Sequence, residues 1–463
     1  MIVPQNRLLL WFAVIVLPFA VLGAVEPAAT VVALAFIAGL FLVALLDAVG
    51  ARTSLAGISV VLPEIARMSK DREAKLELRI RNERQKPRTL RLALPLPREI
   101  QSANDETAVT LPNESEWSRL SWPCLPLKRG RYHIATAYLE TSSPLGFWSV
   151  RKPSPVRSEI RVYPNLFTER KNLAALFLPR GAFGLHAQRQ VGKGREFEKL
   201  REYVPGDGFD EVHWKATARR GRPITKVYQI ERTQEVYVVI DASRLSARAP
   251  EGRESRVESR ETDSFRPSTL DPRPSTTTLE RFVTAALVLG LAAEQQGDLF
   301  GLLTFTDKVE KFVRAKNGKA HYAACRDALY TLQPRLVSPD YDEVCTFIRL
   351  RMRRRALLVF LTALDDPVVA QSFVKNMDLV RRQHLVLVNM LQPPGVNELF
   401  TGPNLASPDD LYGRLGGHLL WHKLRELEKV LKRRGVHFSL LQNEKLSAEL
   451  VTQYLGVKRR QLL

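Results

Sequence analysis

The chain has 463 residues, of which 45% are hydrophobic, and this length and composition allow about two to four domains with packed cores. Its 69 basic and 49 acidic residues give a net charge of +20, which indicates an acidic partner, anionic lipid or nucleic acid without choosing among them. The three cysteines, Cys124, Cys325 and Cys345, form no CxxC pair. This argues against a disulfide framework or a zinc site and fits a reducing compartment.

Two uncharged segments open the chain, residues 8–25 and 27–46. Each is close to the roughly 20 residues that cross a hydrocarbon core of about 30 Å. Since so little chain separates them, residues 1–50 are predicted to form a transmembrane helical hairpin. A cleavable signal peptide is the competing interpretation, but it explains only the first segment. Pro18 in that segment is compatible with a membrane helix, because neighbouring groups satisfy the freed backbone.

Basic residues flank the hairpin on both sides, whereas its turn contains only an acid. They are Arg7, Arg52, Arg67, Lys70 and Arg72. By the positive-inside rule, both ends of the hairpin and the soluble domains face the cytoplasm.

Residues 52–165 are predicted to form a small antiparallel β-sandwich. Apolar and polar side chains alternate over residues 76–82, 89–96, 131–140 and 158–164, and turn residues recur about every ten positions. Residues 166–234 are mixed and polar, and form a connecting segment.

Residues 235–463 alternate continuous apolar strands with amphipathic helices, a pattern typical of a doubly wound parallel α/β sheet. The predicted strands cover residues 235–241, 298–307, 308–315, 356–364, 384–391 and 437–442, with residues 308–315 hairpinning back on the strand before it. Residues 244–278 are rich in Arg, Ser, Glu and Pro, and are predicted to be a disordered insert. The insert follows the first strand, at the edge where such folds bind ligands.

Several ordered motifs stand out: TSSPLGFWSVRK and IRVYP at the end of the sandwich, EFEKLREYVPGD, HWKATAR, and a strand that ends in IDAS. Together they resemble the bacterial family catalogued as domain of unknown function 58, whose C-terminal part resembles a von Willebrand factor A domain. The resemblance covers nearly the whole chain. It therefore implies a multidomain protein of hairpin, β-sandwich and von Willebrand A-like domain in the bacterial cytoplasmic (inner) membrane.

The family's block has the form R-x-Y-x-x-G-D, then Arg, then W-x-A-x-A-R. The matching residues here are Arg201, Tyr203, Gly206, Asp207, Trp214, Ala216, Ala218 and Arg219. Asp210 stands where the family has the middle arginine. We expect this segment to be a structural junction first and a docking surface second. Trp214 would bury its ring, while Arg201 and Arg219 reach Asp207 or Glu202, because buried charges persist only when paired.

The resemblance also implies partners: a MoxR-type AAA+ ATPase and a transglutaminase-like membrane protein. The expected function is a non-enzymatic, membrane-anchored adaptor that helps to assemble or activate other envelope proteins. The alternative is a basic protein of the cytoplasmic face that binds nucleic acid or anionic lipid.

A von Willebrand A domain can hold Mg²⁺ through D-x-S-x-S, a threonine and a later aspartate, since hard oxygens suit this cation. Here Asp241 and Ser243 match, but the second serine is absent and Arg244 brings positive charge. The later T-D reads Thr362-Ala363, and the following carboxylates are Asp365 and Asp366; Ser338 and Asp340 are weak substitutes for the threonine. The site is therefore expected to be degenerate and to bind no cofactor.

Catalytic and nucleic-acid-binding patterns are weak. His213 lies among charges without a clear nucleophile, which favours a surface or interface role. GKGRE (192–196) lacks the spacing of a P-loop, so the chain is not expected to be an ATPase. The basic runs at 349–355 and 431–435 lack the aromatic residues of a single-strand binder and lie at helix ends, where cations complement the helix dipole.

Overall fold

The computed structural model describes residues 1–25, 30–85, 88–113, 115–167, 169, 191–204, 208–229, 234–249, 276–399 and 408–460. The chain divides into a first compact unit, Met1–Asn165, and a second unit that begins at Leu166. Gly206, Asp207 and residues 250–275 of the predicted insert lie outside the described residues.

The first unit contains two long helices and ten strands among its described residues. The helices are α1 (Asn6–Val25) and α2 (Thr30–Ala51). The strands are β1 (Ile2–Pro4), β2 (Ile58–Val61), β3 (Ile65–Ser69), β4 (Ala74–Asn82), β5 (Arg88–Ala93), β6 (Ile100–Ser102), β7 (Glu106–Leu111), β8 (Trp117–Pro126), β9 (Gly130–Ser142) and β10 (Trp148–Tyr163).

The strands form two sheets that share one core. One has the order β1-β10-β9-β5-β7, with β3 added parallel to β10, and the other has the order β2-β4-β8-β6. Strand β4 shows how the sequence selects the buried face: Leu76, Leu78 and Ile80 are buried, whereas Glu77 and Arg79 point to solvent. Because side chains alternate along a strand, one face of each sheet enters the core.

Both N-terminal helices are long and apolar enough to cross a membrane. They pack together through Phe19 and Phe36, whose ring centroids are 4.6 Å apart, and through the close approach of Gly23 to Ala33. Helix α1 contains a π-helical turn at Phe12–Val16, just before Pro18. Proline donates no backbone hydrogen bond to the preceding turn, so the wider turn lets the helix continue.

Helix α2 continues beyond the predicted end at residue 46, because Asp47 has partners in the sandwich. Its Oδ2 accepts from the Ser143 hydroxyl at 2.6 Å and from the Phe147 N–H at 3.3 Å, and its Oδ1 accepts from the Leu145 N–H at 3.1 Å. The Trp148 indole also donates to the Ala44 carbonyl, at 2.8 Å. A buried carboxylate is tolerated when it is hydrogen-bonded in this way. These contacts fix the end of α2 on the loop that joins β9 to β10.

The other end of the hairpin is fixed on the same loop. Strand β1 pairs antiparallel with the start of β10, with Ile2 opposite Val150. The Gln5 N–H donates to the Phe147 carbonyl at 2.8 Å. Both ends of the helix pair are therefore attached to one side of the sandwich.

The described elements of the second unit begin with a two-stranded ribbon. They are β11 (Val191–Glu202), α3 (Trp214–Arg220), β12 (Ile224–Gln229), β13 (Glu235–Asp241), α4 (Thr278–Gln295), β14 (Leu299–Phe305), β15 (Val309–Lys316), α5 (Lys319–Leu329), α6 (Tyr341–Arg351), β16 (Leu357–Leu361), α7 (Pro367–Val380), β17 (Leu385–Leu391), α8 (Pro408–Arg433), β18 (His437–Leu441) and α9 (Leu446–Arg459). Strands β11 and β12 pair antiparallel.

The six strands β13 to β18 form one sheet in the order β15-β14-β13-β16-β17-β18. Neighbours are parallel except β15, which hairpins back on β14 as predicted. Side chains of β13 enter two separate cores. Val236, Val238 and Ile240 pack with α4 and α9, whereas Tyr237 and Val239 pack with α6, α7 and α8.

The prediction of disorder is wrong at both ends of the insert. Arg244–Ala247 form a 3-10 helix with Leu245 buried. The Thr277 hydroxyl caps α4 by accepting from the Glu280 N–H, and the Thr278 N–H donates to the Arg248 carbonyl. These residues are ordered because Leu245 enters a core and the backbone groups find partners, which composition alone does not reveal.

Candidate functional site

Helix α3 carries most of the motif residues that the structure describes. His213 caps the helix, because its Nδ1 accepts from the Ala216 N–H at 3.0 Å, and Gly221 ends it in the left-handed conformation at φ 67°. The Thr217 hydroxyl accepts from the Ile224 N–H at 3.0 Å, which ties the helix to β12. His213 thus has a structural role in the helix N-cap.

The expected burial of Trp214 is wrong: its side chain is 68% exposed. Helix α3 has seven residues, and one of its faces is half-buried. This face carries His213, Ala216 and Thr217. Trp214 and Ala218 lie on the opposite face, which is exposed. Sequence reasoning treated the tryptophan as a core residue because of its type, and had no periodic pattern long enough to decide its orientation.

The charges of the motif are arranged differently from the expectation. Glu202 accepts from Arg222 at 2.7 Å, a partner that sequence reasoning missed. Arg201 and Tyr203 are both half-buried at the end of the ribbon, whereas Arg219 is exposed in the last turn of α3. Asp207 lies outside the described residues, so its expected pairing stays a prediction.

Several apolar and basic side chains of this ribbon and helix point to solvent. Phe209 is 76% exposed, and its ring centroid lies 6.5 Å from that of Tyr203. Aromatic rings at such exposure are typical of a surface that meets a partner. We use the name aromatic–basic surface for Leu200, Val204, Phe209, Trp214, Lys215, Arg219 and Arg220.

The carboxyl edge of the six-stranded sheet contains the second candidate site. Asp241 is fully buried; its Oδ1 accepts from the Ser243 N–H at 2.8 Å and its Oδ2 from the Thr362 hydroxyl at 2.6 Å. The Thr362 hydroxyl is in turn 2.7 Å from the Tyr341 hydroxyl, a residue that sequence reasoning missed. Burial raises the pKa of the Asp241 carboxyl and, more strongly, that of the Tyr341 phenol.

These residues do not fit a Mg²⁺ ion. Both oxygens of Asp241 already have protein donors, and Ala363 provides no carboxylate. Asp365 is paired with Arg248, and Asp366 lies 3.6 Å from Arg244. Over the described ranges, no three acidic, histidine or cysteine side chains are grouped to hold a metal.

Two further side chains at this edge add little to a metal site. The Ser243 hydroxyl is buried beside the Asp241 carboxyl. Asp340 caps α6 by accepting from the N–H groups of Asp342 and Glu343. One neutral oxygen does not make a divalent-cation site, which needs several hard oxygens. Two guanidinium groups stand beside the carboxylates that a cation would need.

Two exposed aliphatic side chains lie beside this edge. Leu336 is 88% exposed and Val368 is 76% exposed. The Arg244 N–H donates to the Val337 carbonyl at 3.0 Å, and Asp366, which pairs with Arg244, accepts from the Val368 N–H at 2.9 Å. Both segments therefore converge on Arg244, so the edge presents ion pairs with apolar residues beside them.

The thiols are buried, and one arginine of each basic run lies beside an acid of the same chain. Burial raises the pKa of Cys124 to about 11 and the pKa values of Cys325 and Cys345 to about 12, so these groups stay protonated thiols near neutral pH. In the basic runs, Arg354 lies 3.8 Å from Glu235, and Arg434 pairs with Asp378.

Residues 199–259 and 268–402 match the family described as "Protein of unknown function DUF58". This range includes helix α3 and the carboxyl edge of the sheet. No curated protein matches the sequence.

Three solved structures share low similarity with the chain. The conserved hypothetical protein BatB of Bacteroides thetaiotaomicron is 13% identical, with a TM-score of 0.28, over 49% of this chain and 99% of that one. An aerotolerance-related membrane protein of Bacteroides fragilis is 14% identical, with a TM-score of 0.27, over 48% and 97%. Proximal thread matrix protein 1 of the mussel byssus is 11% identical, with a TM-score of 0.24; the match covers 48% of this chain and only 44% of that protein.

Proposed function

From the match of residues 199–259 and 268–402 to the DUF58 family, we propose that the chain is a membrane-anchored, non-enzymatic adaptor that works with a MoxR-type AAA+ ATPase. In this proposal, the second unit is a von Willebrand A-like doubly wound domain and the first unit is a β-sandwich on a transmembrane hairpin. The partner hydrolyses ATP, because the sequence has no P-loop of its own. The clients are envelope proteins that the pair assembles or activates, and a transglutaminase-like membrane protein is a further component.

The attachment of the hairpin supports an anchoring role. Asp47 and Trp148 join the end of α2 to the sandwich, and β1 joins the other end. A hairpin fixed at both ends transmits force or position to the domain that it holds, whereas a hairpin on a loose linker only limits diffusion. The basic flanks of the hairpin favour the cytoplasmic face of the bacterial inner membrane for the soluble units.

One observation carries the adaptor proposal: the carboxyl edge of the sheet is closed by protein groups and has exposed aliphatic residues beside it. Open α/β sheets bind small ligands at this edge. Here Arg244 and Arg248 pair with the neighbouring carboxylates, and Leu336 and Val368 project into solvent. Apolar side chains that project next to ion pairs suit a protein partner better than a small polar substrate.

A direct test places photo-crosslinking residues at positions 336 and 368 of the full chain in native membranes. We expect crosslinks to a MoxR-type ATPase that depend on the nucleotide supplied. Leu336→Asp together with Val368→Asp should abolish recovery of the ATPase, since two charges replace the apolar contact. Leu350→Asp is the matched control, because Leu350 is 70% exposed but lies towards the end of α6, away from this edge.

The outcomes separate the proposal from its competitors. Loss of the ATPase only in the Leu336→Asp and Val368→Asp variant supports the docking edge. Crosslinks to other proteins alone, with no ATPase under any nucleotide, would refute the partnership. Recovery of nucleic acid with the basic runs would favour the alternative function, although Arg354 and Arg434 are already engaged within the chain.

A further inference from the structure

We propose that the aromatic–basic surface binds the anionic headgroup layer of the membrane, with Phe209 and Trp214 entering the interface beside the cations of α3. The proposal uses the two membrane-crossing helices of the chain but does not depend on the ATPase. It gives the connecting segment a lipid-binding role in addition to its structural one.

The aromatic side chains carry the first part of the argument. Phe209 and Trp214 are more than two-thirds exposed, and Leu200 in β11 and Val204 just after it are exposed to a lesser degree. Leaving such rings in water is unfavourable, because their apolar area is large. Tryptophan is enriched at membrane interfaces, since its ring is apolar and its N–H is polar. The layer between headgroups and acyl chains satisfies both parts of the side chain.

The charges carry the second part. Helix α3 contains Lys215, Arg219 and Arg220, all exposed, and no acidic residue. Within the described part of the ribbon, Glu202 is neutralised by Arg222. Exposed Trp and Phe next to Lys and Arg are the combination by which peripheral segments bind anionic lipid. A site for an acidic lipid surface is therefore present without any cavity.

The size of the surface favours a membrane over a free protein partner. A specific protein interface covers about 800 Å² on each partner, whereas a seven-residue helix and a few neighbouring side chains offer a small contact. A weak contact is sufficient when the chain is already held at the membrane by α1 and α2, because the anchor raises the effective lipid concentration.

The test uses the full chain in lipid nanodiscs with a fluorescent probe on Phe209→Cys. The three native thiols are buried and stay protonated, so a maleimide reacts selectively with the new cysteine. We expect lipid-borne quenchers to quench the probe in discs that contain about 30% phosphatidylglycerol, and to quench it weakly in pure phosphatidylcholine. A probe on Leu336→Cys, which is also highly exposed, is the control and should respond to neither lipid.

Two substitutions test the cause of binding. The double variant Arg219→Gln, Arg220→Gln should bind the membrane more weakly. The ratio of bound to unbound aromatic–basic surface should fall on the order of 25-fold, because each cation near an anionic membrane strengthens binding about fivefold. Both residues are exposed, so the thermal stability of the variant should be unchanged. Equal quenching in neutral and anionic discs, or quenching that survives both substitutions, overturns the proposal. Crosslinking of residue 209 to a protein rather than to lipid in native membranes also overturns it.

Discussion

The carboxylate of Asp47, near the end of the second apolar helix α2, accepts a hydrogen bond of 2.6 Å from the Ser143 hydroxyl, 96 residues further along the chain. The same carboxylate accepts from two backbone N–H groups in the SPLGFW segment. The SPLGFW segment, part of a motif that resembles the DUF58 family, therefore holds the end of the hairpin. This relationship gives the motif a physical role that the sequence did not reveal.

Replacing Asp47 should loosen the hairpin from the sandwich. Asp47→Leu leaves the Ser143 hydroxyl and the N–H groups of Leu145 and Phe147 without their acceptor. We expect the free energy of unfolding to fall by at least about 3 kcal/mol, since three donors lose their acceptor and each unsatisfied buried group costs about 1–3 kcal/mol. Hydrogen exchange of residues 143–148 in nanodiscs measures the effect. Asp105→Leu, at an exposed acid, is the control. Unchanged protection from hydrogen exchange in the Asp47 variant would show that the hydrogen bonds of Asp47 do not hold the helix.

Lys458 should be important for attaching the C-terminal helix α9. Asp298 is 1% exposed, and its Oδ2 accepts from Lys458 at 2.8 Å and from the Tyr454 hydroxyl. Lys458→Met leaves a buried carboxylate with fewer donors, so we expect a loss of about 3 kcal/mol, the lower end for a broken buried pair because Lys458 is partly exposed. Thermal unfolding of the full chain measures it. The double variant with Asp298→Asn should recover part of the loss; no recovery would mean that the charge pair is not the cause.

His384 should make the second unit sensitive to acid. Its ring is buried, both ring nitrogens lack partners within the described residues, and burial lowers its pKa. The folded state therefore holds the neutral ring, while the unfolded state takes up a proton as the pH falls below about 6.5. His384 therefore does not affect the free energy of unfolding above that pH. The free energy of unfolding decreases as the pH falls from there towards the pKa of His384 in the folded state. His384→Leu should reduce the acid-dependent fall in melting temperature. His437→Leu, at an exposed histidine, should not change it.

Truncation to alanine should lower the stability of the protein strongly at Trp122 and hardly at all at Trp214. Trp122 is 1% exposed in the sandwich core, so Trp122→Ala should cost about 3–5 kcal/mol. Trp214 is 68% exposed, so Trp214→Ala should change stability by less than about 0.5 kcal/mol. Thermal unfolding of both variants measures the contrast. A large destabilisation by Trp214→Ala would show that the ring is covered in solution.

Magnesium should not stabilise the protein. Because Asp241 is satisfied by Ser243 and Thr362, we expect no rise in melting temperature with Mg²⁺ and no fall with EDTA. Calorimetry with the full chain checks the same point. Binding tighter than about millimolar, lost in Asp241→Ala, would show that these residues do hold Mg²⁺.

The sequence predicted those features that repeat over many residues. The apolar runs gave both N-terminal helices, and alternation or continuous hydrophobicity gave strands such as Ala74–Asn82 and Glu235–Asp241. Three-residue strands such as Ile2–Pro4 have no periodicity of their own. They form because a distant edge is available to pair with, which no local pattern encodes.

The candidate sites were predicted by residue type but not by orientation. Asp241 and Ser243 were identified at the strand end, and their neighbourhood follows from the register of the parallel strands. Trp214 was placed in the core because of its apolar ring, yet the short helix turns it outward. The hydrogen bonds of Asp47 were missed because their donors lie about a hundred residues further along the chain, and neither segment alone forms a pattern.

The tie between Asp298 and helix α9 has a consequence for biosynthesis. Leu450, Val451 and Tyr454 complete the core formed by β13 and α4, although they are translated more than 150 residues after those elements begin. While the ribosome is still making the chain, the part of this core that α9 covers stays exposed. The nascent protein therefore stays vulnerable to aggregation until α9 emerges.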